Sequence, residues 1–221
     1  MSFPYDKWKA KNQINIVLSN PPFGGQEEDD IENNFPEEFR TKETADLFLA
    51  LIIKILKKNG RAAVVLPDGS LYGEGVKTKI KEELLSRCDL HTIVRLPNGI
   101  FNPYTSIKTS LLFFQKGKST KEIWYYEMPY PEGVKNFSRS RPVNIKHFDD
   151  IKKWWADRKE NEFSWKVSKN EIKHRNFNLD IKNPHISEEE KLYSTEELLI
   201  KIDSSFQKSA TLLAEIKKSL L

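Results

Sequence analysis

The feature that most constrains this chain is an alternation between two hydrophobic periods. Short unbroken apolar runs, "INIVL" (14–18), "AAVVL" (62–66) and "LHTIVRL" (90–96), each stop at turn-forming residues, and the stretches between them carry apolar residues at helical spacings. Runs of the first kind fit buried strands, and apolar spacings of three and four fit one face of a helix. The first helix is expected to start near Thr41 or Thr44, either of which can cap it. It should stop at "KKNG" (57–60), where Asn59 and Gly60 supply a left-handed ending. Leu47, Phe48, Leu51, Ile52, Ile55 and Leu56 cover most of its circumference, which predicts burial against a sheet. The "AAVVL" run ends in "PDGS", a second strand-to-turn edge, and a shorter helix follows with Val76, Ile80 and Leu84 at spacings of four. Strand, helix, strand, helix, strand predicts an α/β fold with a parallel sheet and right-handed crossovers. Two further strands, "TSLLFFQ" (109–115) and "EIWYYEM" (122–128), follow closely enough that one strand is expected to run antiparallel.

Elsewhere the periodicity fades. Residues 24–43 are polar with no apolar period, and a loop that long in a compact domain is a lid, a binding loop or disordered. Past residue 130, "FDDIKKWWADRKE" (148–160) is expected to be a helix, acidic at its start and basic at its end, with Ile151, Trp154, Trp155 and Arg158 on one side. Residues 163–185 read as basic and irregular, punctuated by aromatics. A last helix should begin at "STEE", where Ser194 and Glu197 have capping-box spacing. Its Leu199, Ile202, Phe206, Leu213, Ile216 and Leu220 make a heptad-like seam with Ser209 its polar member, suited to docking on its own domain or on a partner helix.

Composition narrows the classes of function. The net charge of +4 is small, but residues 116–182 hold sixteen Lys/Arg against ten Asp/Glu, whereas residues 1–60 hold eight against ten. A basic segment favours a polyanion, although such runs are most often solvated faces. The single cysteine, Cys88, forms no internal disulfide and reads as a small buried hydrophobe, so a reducing, cytoplasmic location is expected. No signal peptide is read at the start, and the most apolar run, "LFLALIIKIL" (47–56), is too short to span a bilayer and contains Lys54. No membrane association is expected.

The candidate chemistry lies in "SNPPFGG" (19–25), directly after the first strand. A tight turn explains this composition, since Gly, Pro and Asn suit turn geometries. Its position adds a second reading, because ligands of open α/β sheets bind at the carboxyl ends of strands. Proline has no N–H, so Asn20, Pro21 and Pro22 display carbonyl oxygens on a stiff backbone with few competing donors. The Asn20 amide oxygen and the Pro21 carbonyl can accept both hydrogens of an exocyclic NH₂. Such an amine shares its lone pair with its ring; drawing both hydrogens out of the plane localises that pair and aims it at an electrophilic carbon. Phe23 offers a stacking face for the heterocycle. No group of metal ligands is read from the sequence.

These residues resemble the catalytic motif of amino-methyltransferases that act on adenine N6 with S-adenosylmethionine. The blocks "ETADLFLALIIKILKKNGRAAVVLPDGSLYG" (43–73), "IVRLPNGIF" (93–101) and "TSIKTSLLFFQKG" (105–117) are similar to successive blocks of the modification (M) subunit of type I restriction systems, and the similarity runs from about residue 14 to 185. The resemblance implies catalytic roles for Asn20, Pro21 and Phe23, with Pro22 keeping the turn rigid, and a turn-forming role for Asp68. It implies double-stranded DNA with a flipped adenine as substrate, and a specificity subunit, a second modification subunit and a restriction subunit as partners. The fold it implies is the second half of a Rossmann-like methyltransferase sheet with a helical C-terminal extension. Its expected divisions are a partial catalytic domain over 1–130, a basic aromatic-rich extension over 131–190 and a subunit-contact helix over 191–221.

The family places a glycine-rich cofactor loop before the Asn-Pro-Pro-Phe block, and only nineteen residues precede Asn20. "GEG" (73–75) does not follow a strand and lacks a third glycine at Thr78, so it is rejected as a substitute. The cofactor-binding residues are therefore expected upstream, the isolated chain is expected to be inactive, and the first strand is expected to leave an open sheet edge. Two alternatives stand beside this reading: a glutamine or RNA amino-methyltransferase, and a non-catalytic assembly or DNA-binding module.

Overall fold

The computed structural model describes residues 4–9, 12–134, 136–185 and 195–219. Six strands form one mixed sheet: β1 (Ile14–Ser19), β2 (Leu56–Pro67), β3 (Cys88–Arg95), β4 (Thr109–Lys116), β5 (Glu122–Glu127) and β6 (Ser164–Ser168). Their spatial order is β1-β2-β4-β3-β5-β6. β1, β2, β3 and β5 share one direction, while β4 runs antiparallel between β2 and β3 and β6 runs antiparallel along β5. The α/β class read from the sequence is thus observed, with two antiparallel strands where one was expected. The extra one comes from residues 163–185, which build β6 and helix α6 (Lys169–His174) and are not irregular there.

The sheet carries a core on each face. On one, α2 (Thr44–Ile55) and α4 (Val76–Arg87) cover Val64, Leu66, Ile93, Leu112 and Phe114, with Leu49, Ile52, Ile80 and Leu84 facing them. On the other, α5 (Asp149–Ala156) places Ile151, Trp154 and Trp155 over Val94, Leu111, Phe113, Trp124 and Tyr126. Two short helices, α1 (Asp29–Glu32) and α3 (Asp68–Tyr72), follow the carboxyl ends of β1 and β2. Residues up to His185 form one compact unit, so the extension beginning at 131 contributes α5, β6 and α6 to the same sheet as the strands before it. The second unit contains α7 (Thr195–Ser219), whose Leu199, Ile202, Phe206 and Leu213 are exposed. Ser194 and Leu220 lie outside the described residues. No described helix is long and apolar enough to cross a membrane.

Several local expectations are corrected. Thr44 is the first residue of α2 and not its cap; Thr41 Oγ1 instead accepts the Glu43 N–H at 3.2 Å. α2 stops at Ile55, and "KKNG" lies within β2, where the register advances from Leu56 to Arg61 while β1 advances from Ile14 to Ile16. Asn59 there has φ 67°, and a Cβ on Gly60 would sit 2.8 Å from the Lys57 carbonyl. The left-handed signal was therefore real but marks a bulge. The 24–43 stretch folds back on itself: Glu27 N–H donates to Lys42 O, Thr44 N–H to Gly25 O, and Phe35 and Phe39 are buried around Tyr5. Three aromatic anchors do here what a periodic pattern does elsewhere.

The largest correction concerns β1, which read as a buried strand. It ends the sheet, and Ile14, Ile16 and Leu18 are exposed, Leu18 at 81%. Its composition is that of a core strand, but among the described residues nothing covers that face or pairs with its outer edge.

Candidate active site

The strand-turn edge 19–25 sits at the carboxyl end of β1, beside the carboxyl end of β2. Asn20 is exposed, Pro21 buried, Pro22 exposed and Phe23 half-buried. No hydrogen bond of the described residues engages the Asn20 side chain or the Pro21 carbonyl. Gly24 takes φ 67°, which turns the chain back toward α2 without a side-chain clash. A Cβ on Gly25 would touch Thr44 Oγ1 at 3.0 Å, so the bend is pressed against the first turn of α2.

A second aromatic joins Phe23. Phe101, from the loop that links β3 to β4, meets it edge-on with centroids 5.3 Å apart and ring planes at 76°. The same loop brings Ile107 over Gly24 and leaves Tyr104 92% exposed. Sequence reasoning recognised "NGIF" only as part of a resemblance and gave Phe101 no role; the turn-dense "PNGIFNPYTS" was the signal that this loop had to fold over a strand end.

Asp68, at the end of β2, is occupied by the scaffold. Its N–H donates to Lys108 O, its Oδ1 accepts from Ser110 Oγ at 3.0 Å, and its Oδ2 faces the Arg95 guanidinium at 3.7 Å. Arg95, 7% exposed at the end of β3, also pairs with Asp180 and donates to Ile181 O. With Leu179 N–H donating to Leu71 O, segment 178–181 straps the carboxyl ends of β2 and β3 together. Neither Arg95 nor Asp180 was singled out from the sequence, because their partners lie far away along the chain.

Behind α3, buried Asp46 accepts from Ser70 Oγ at 2.7 Å and pairs with Lys77, which also reaches Glu43. Lys81 is buried, donates to the carbonyls of Leu71 and Gly73 at 2.8 Å each, and has its pKa pushed down to about 8 by burial. "GEG" (73–75) thus follows α3 and leads into α4, with Gly75 preceding Val76 as its cap. Cys88 is buried, its thiol pushed up to about 12 by burial, which is inert packing and not a nucleophile.

With this arrangement in view, comparisons decide the family. The sequence model for N-6 DNA methylase matches residues 1–192. The chain belongs to the N-6 DNA methylase family. Among curated relatives, the EcoEI type I restriction enzyme methylase subunit of Escherichia coli is 58% identical over 192 residues, 84% of this chain and 39% of that protein. The EcoKI methylase subunit of Escherichia coli K12 is 32% identical over 176 residues, 72% of this chain and 32% of that subunit. A solved modification subunit of a Vibrio vulnificus restriction enzyme assigned to type I superposes with a TM-score of 0.80 at 45% identity, covering 83% of this chain and 41% of the other. This N-6 DNA methylase chain therefore spans about two fifths or less of the length of these relatives.

Proposed function

We propose that this chain is the amine-holding portion of a cytoplasmic, site-specific DNA methyltransferase that modifies adenine N6 as part of a type I modification subunit. The observation that carries the proposal is the Asn20 carboxamide, solvent-facing and free of intramolecular hydrogen bonds at the carboxyl end of β1, followed by a two-proline bend and an aromatic pair. Asn20 Oδ1 and Pro21 O accept the two hydrogens of a flipped adenine's NH₂, drawing the nitrogen toward a tetrahedral shape. Phe23, braced edge-on by Phe101, stacks on the purine and sets its plane. The proton that the nitrogen sheds leaves along the Asn20 Oδ1 hydrogen bond, which has direct access to water. No strong base is needed.

The described residues do not by themselves fit the methyl donor, S-adenosylmethionine. Its carboxylate needs N–H donors and a close backbone approach, whereas the ends of β1 and β2 present Pro21, Pro22 and Pro67, which have no N–H. Donor binding is assigned to the part of the relatives' length that this chain does not span.

The partners that follow are double-stranded DNA, a second modification subunit, a restriction subunit, and a specificity subunit met by the apolar seam of α7. The test is methyl transfer from labelled S-adenosylmethionine to adenine by the assembled complex. Asn20→Ala should lower turnover by about 10²- to 10³-fold with DNA binding retained. Unchanged adenine methylation in that variant would overturn the mechanism.

A further inference from the structure

β1, β2, β3 and β5 run in one direction, so their carboxyl ends share the end of the sheet that carries Asn20, where ligands of open α/β sheets bind. The chain leaves β5 at that end. Residues 134–148 on its route to α5 contain Lys135, Arg139, Arg141 and Lys146 and no Asp or Glu. Solvated basic runs are common, so charge alone assigns nothing.

What sets this segment apart is how firmly it is fixed to the loop that carries Phe101. Phe137 is 1% exposed and meets the rings of Tyr130 and His147 at centroid distances of 6.0 and 5.3 Å. Its carbonyl accepts the Asn102 side-chain amide at 3.0 Å, and the Tyr130 hydroxyl donates to Asn98 O at 3.3 Å. Gly99, at φ 79°, would place a Cβ 2.5 Å from the same Phe137 carbonyl, so the two backbones meet as closely as glycine allows. Two residues further along that loop, Phe101 braces Phe23.

Directly after this anchor the chain makes a tight hairpin. Ser138 and Arg141 exchange both backbone hydrogen bonds at 3.1 Å, Ser138 Oγ also accepts the Arg141 N–H at 3.3 Å, and Pro142, with no N–H, ends the pairing. Arg139 and Arg141 are exposed, and neither guanidinium has an ion pair or a hydrogen bond among the described residues. Guanidinium forks held on a rigid turn match the oxygens of a phosphate, which they meet two at a time. Tyr104, 92% exposed on the loop that Phe137 braces, adds an aromatic face, the usual companion of basic groups on nucleic-acid surfaces. β5 stands four strand positions from β1, roughly 19 Å, which is about half a turn of duplex DNA. A duplex with its adenine at Asn20 is long enough to reach the hairpin.

We propose that the 138–141 hairpin is a phosphate clamp, with Arg139 and Arg141 each holding one backbone phosphate of the DNA within about half a turn of the adenine. Phosphate contacts set register and orientation without reading sequence. The clamp therefore fixes how the duplex lies at the site, and the Phe137 anchor keeps that grip at a constant distance from Phe101. The inference rests on DNA as the substrate proposed above, and not on the amine chemistry assigned to Asn20.

The test measures binding of a fluorescein-labelled duplex of unrelated sequence to the assembled complex over a series of salt concentrations. Arg139→Gln and Arg141→Gln should each weaken binding several-fold at low salt and make the slope of log K against log salt shallower by about 0.9, the double variant by about 1.8. Arg139→Lys should restore the slope, because the point charge is kept. Both side chains are exposed on a hairpin held by its backbone, so the melting temperature should not change. In methylation assays the double variant should raise KM for DNA more than it lowers kcat. Asn20→Ala should bind the duplex with the wild-type slope while losing turnover, so a failure of the adenine chemistry is told apart from a failure of the clamp. The proposal is overturned if the double variant keeps the wild-type slope, if the complex binds no DNA, or if the variants fail to assemble, which would make the hairpin a contact between subunits.

Discussion

Arg95 shows how one side chain sets the shape of the candidate site. Its guanidinium neutralises Asp68 and Asp180, which reach it from positions 27 residues before and 85 after. Replacing it with leucine leaves two carboxylates facing each other in a largely dry pocket. Breaking such a pair costs roughly 3–5 kcal/mol when fully buried, and about 2–3 kcal/mol here because Asp180 is partly exposed. Urea denaturation of Arg95→Leu should read that loss, and the double variant Arg95→Leu, Asp180→Leu should recover part of it. His91 yields a pH prediction. Burial and the Arg158 charge lower its folded pKa, while Asp89 pulls the other way; its Nδ1 lies 2.9 Å from Thr92 Oγ1. Below about pH 6.5 the unfolded chain takes up the proton first, so the stability contributed by neutral His91 is present above that pH and is lost as pH falls toward the folded value. Thermal melts from pH 7 to 5 should show this slope, and His91→Gln should flatten it.

At the scale of elements, the sequence disclosed what its own periodicity could encode. Helices α2 and α4 and strands β2 to β5 carry strong apolar patterns and were legible. β6 was not: Trp165 and Val167 alternate with Ser164, Lys166 and Ser168 over only five residues, too short to stand out in a basic stretch. The ending of α2 was misplaced because Asn59 and Gly60 signal a left-handed backbone equally well at a helix terminus and at a bulge. For β1 the run of apolar residues identified a strand correctly but could not say what lies beside it, since burial depends on neighbours and composition does not. The candidate site divides the same way. Asn20, Pro21, Pro22 and Phe23 are contiguous and visible in a single reading, whereas Phe101, Arg95 and Asp180 join the site only through folding.

For the whole molecule, the division into two compact units makes a separable prediction. Removing residues 186–221 should leave the melting temperature of the sheet unit within about 1 °C of the full chain, because the cores on both faces are complete by Ile181. The same deletion should reduce capture of a specificity subunit in a pull-down; undiminished capture would remove α7 from that role. A last consequence concerns the place of Asn20, which directly follows β1, an edge strand with Ile14, Ile16 and Leu18 exposed. A chain that pairs with that strand ends beside Asn20, so the two contacts can be coupled. If pairing tightens what Asn20 holds by some factor, that ligand must tighten pairing by the same factor.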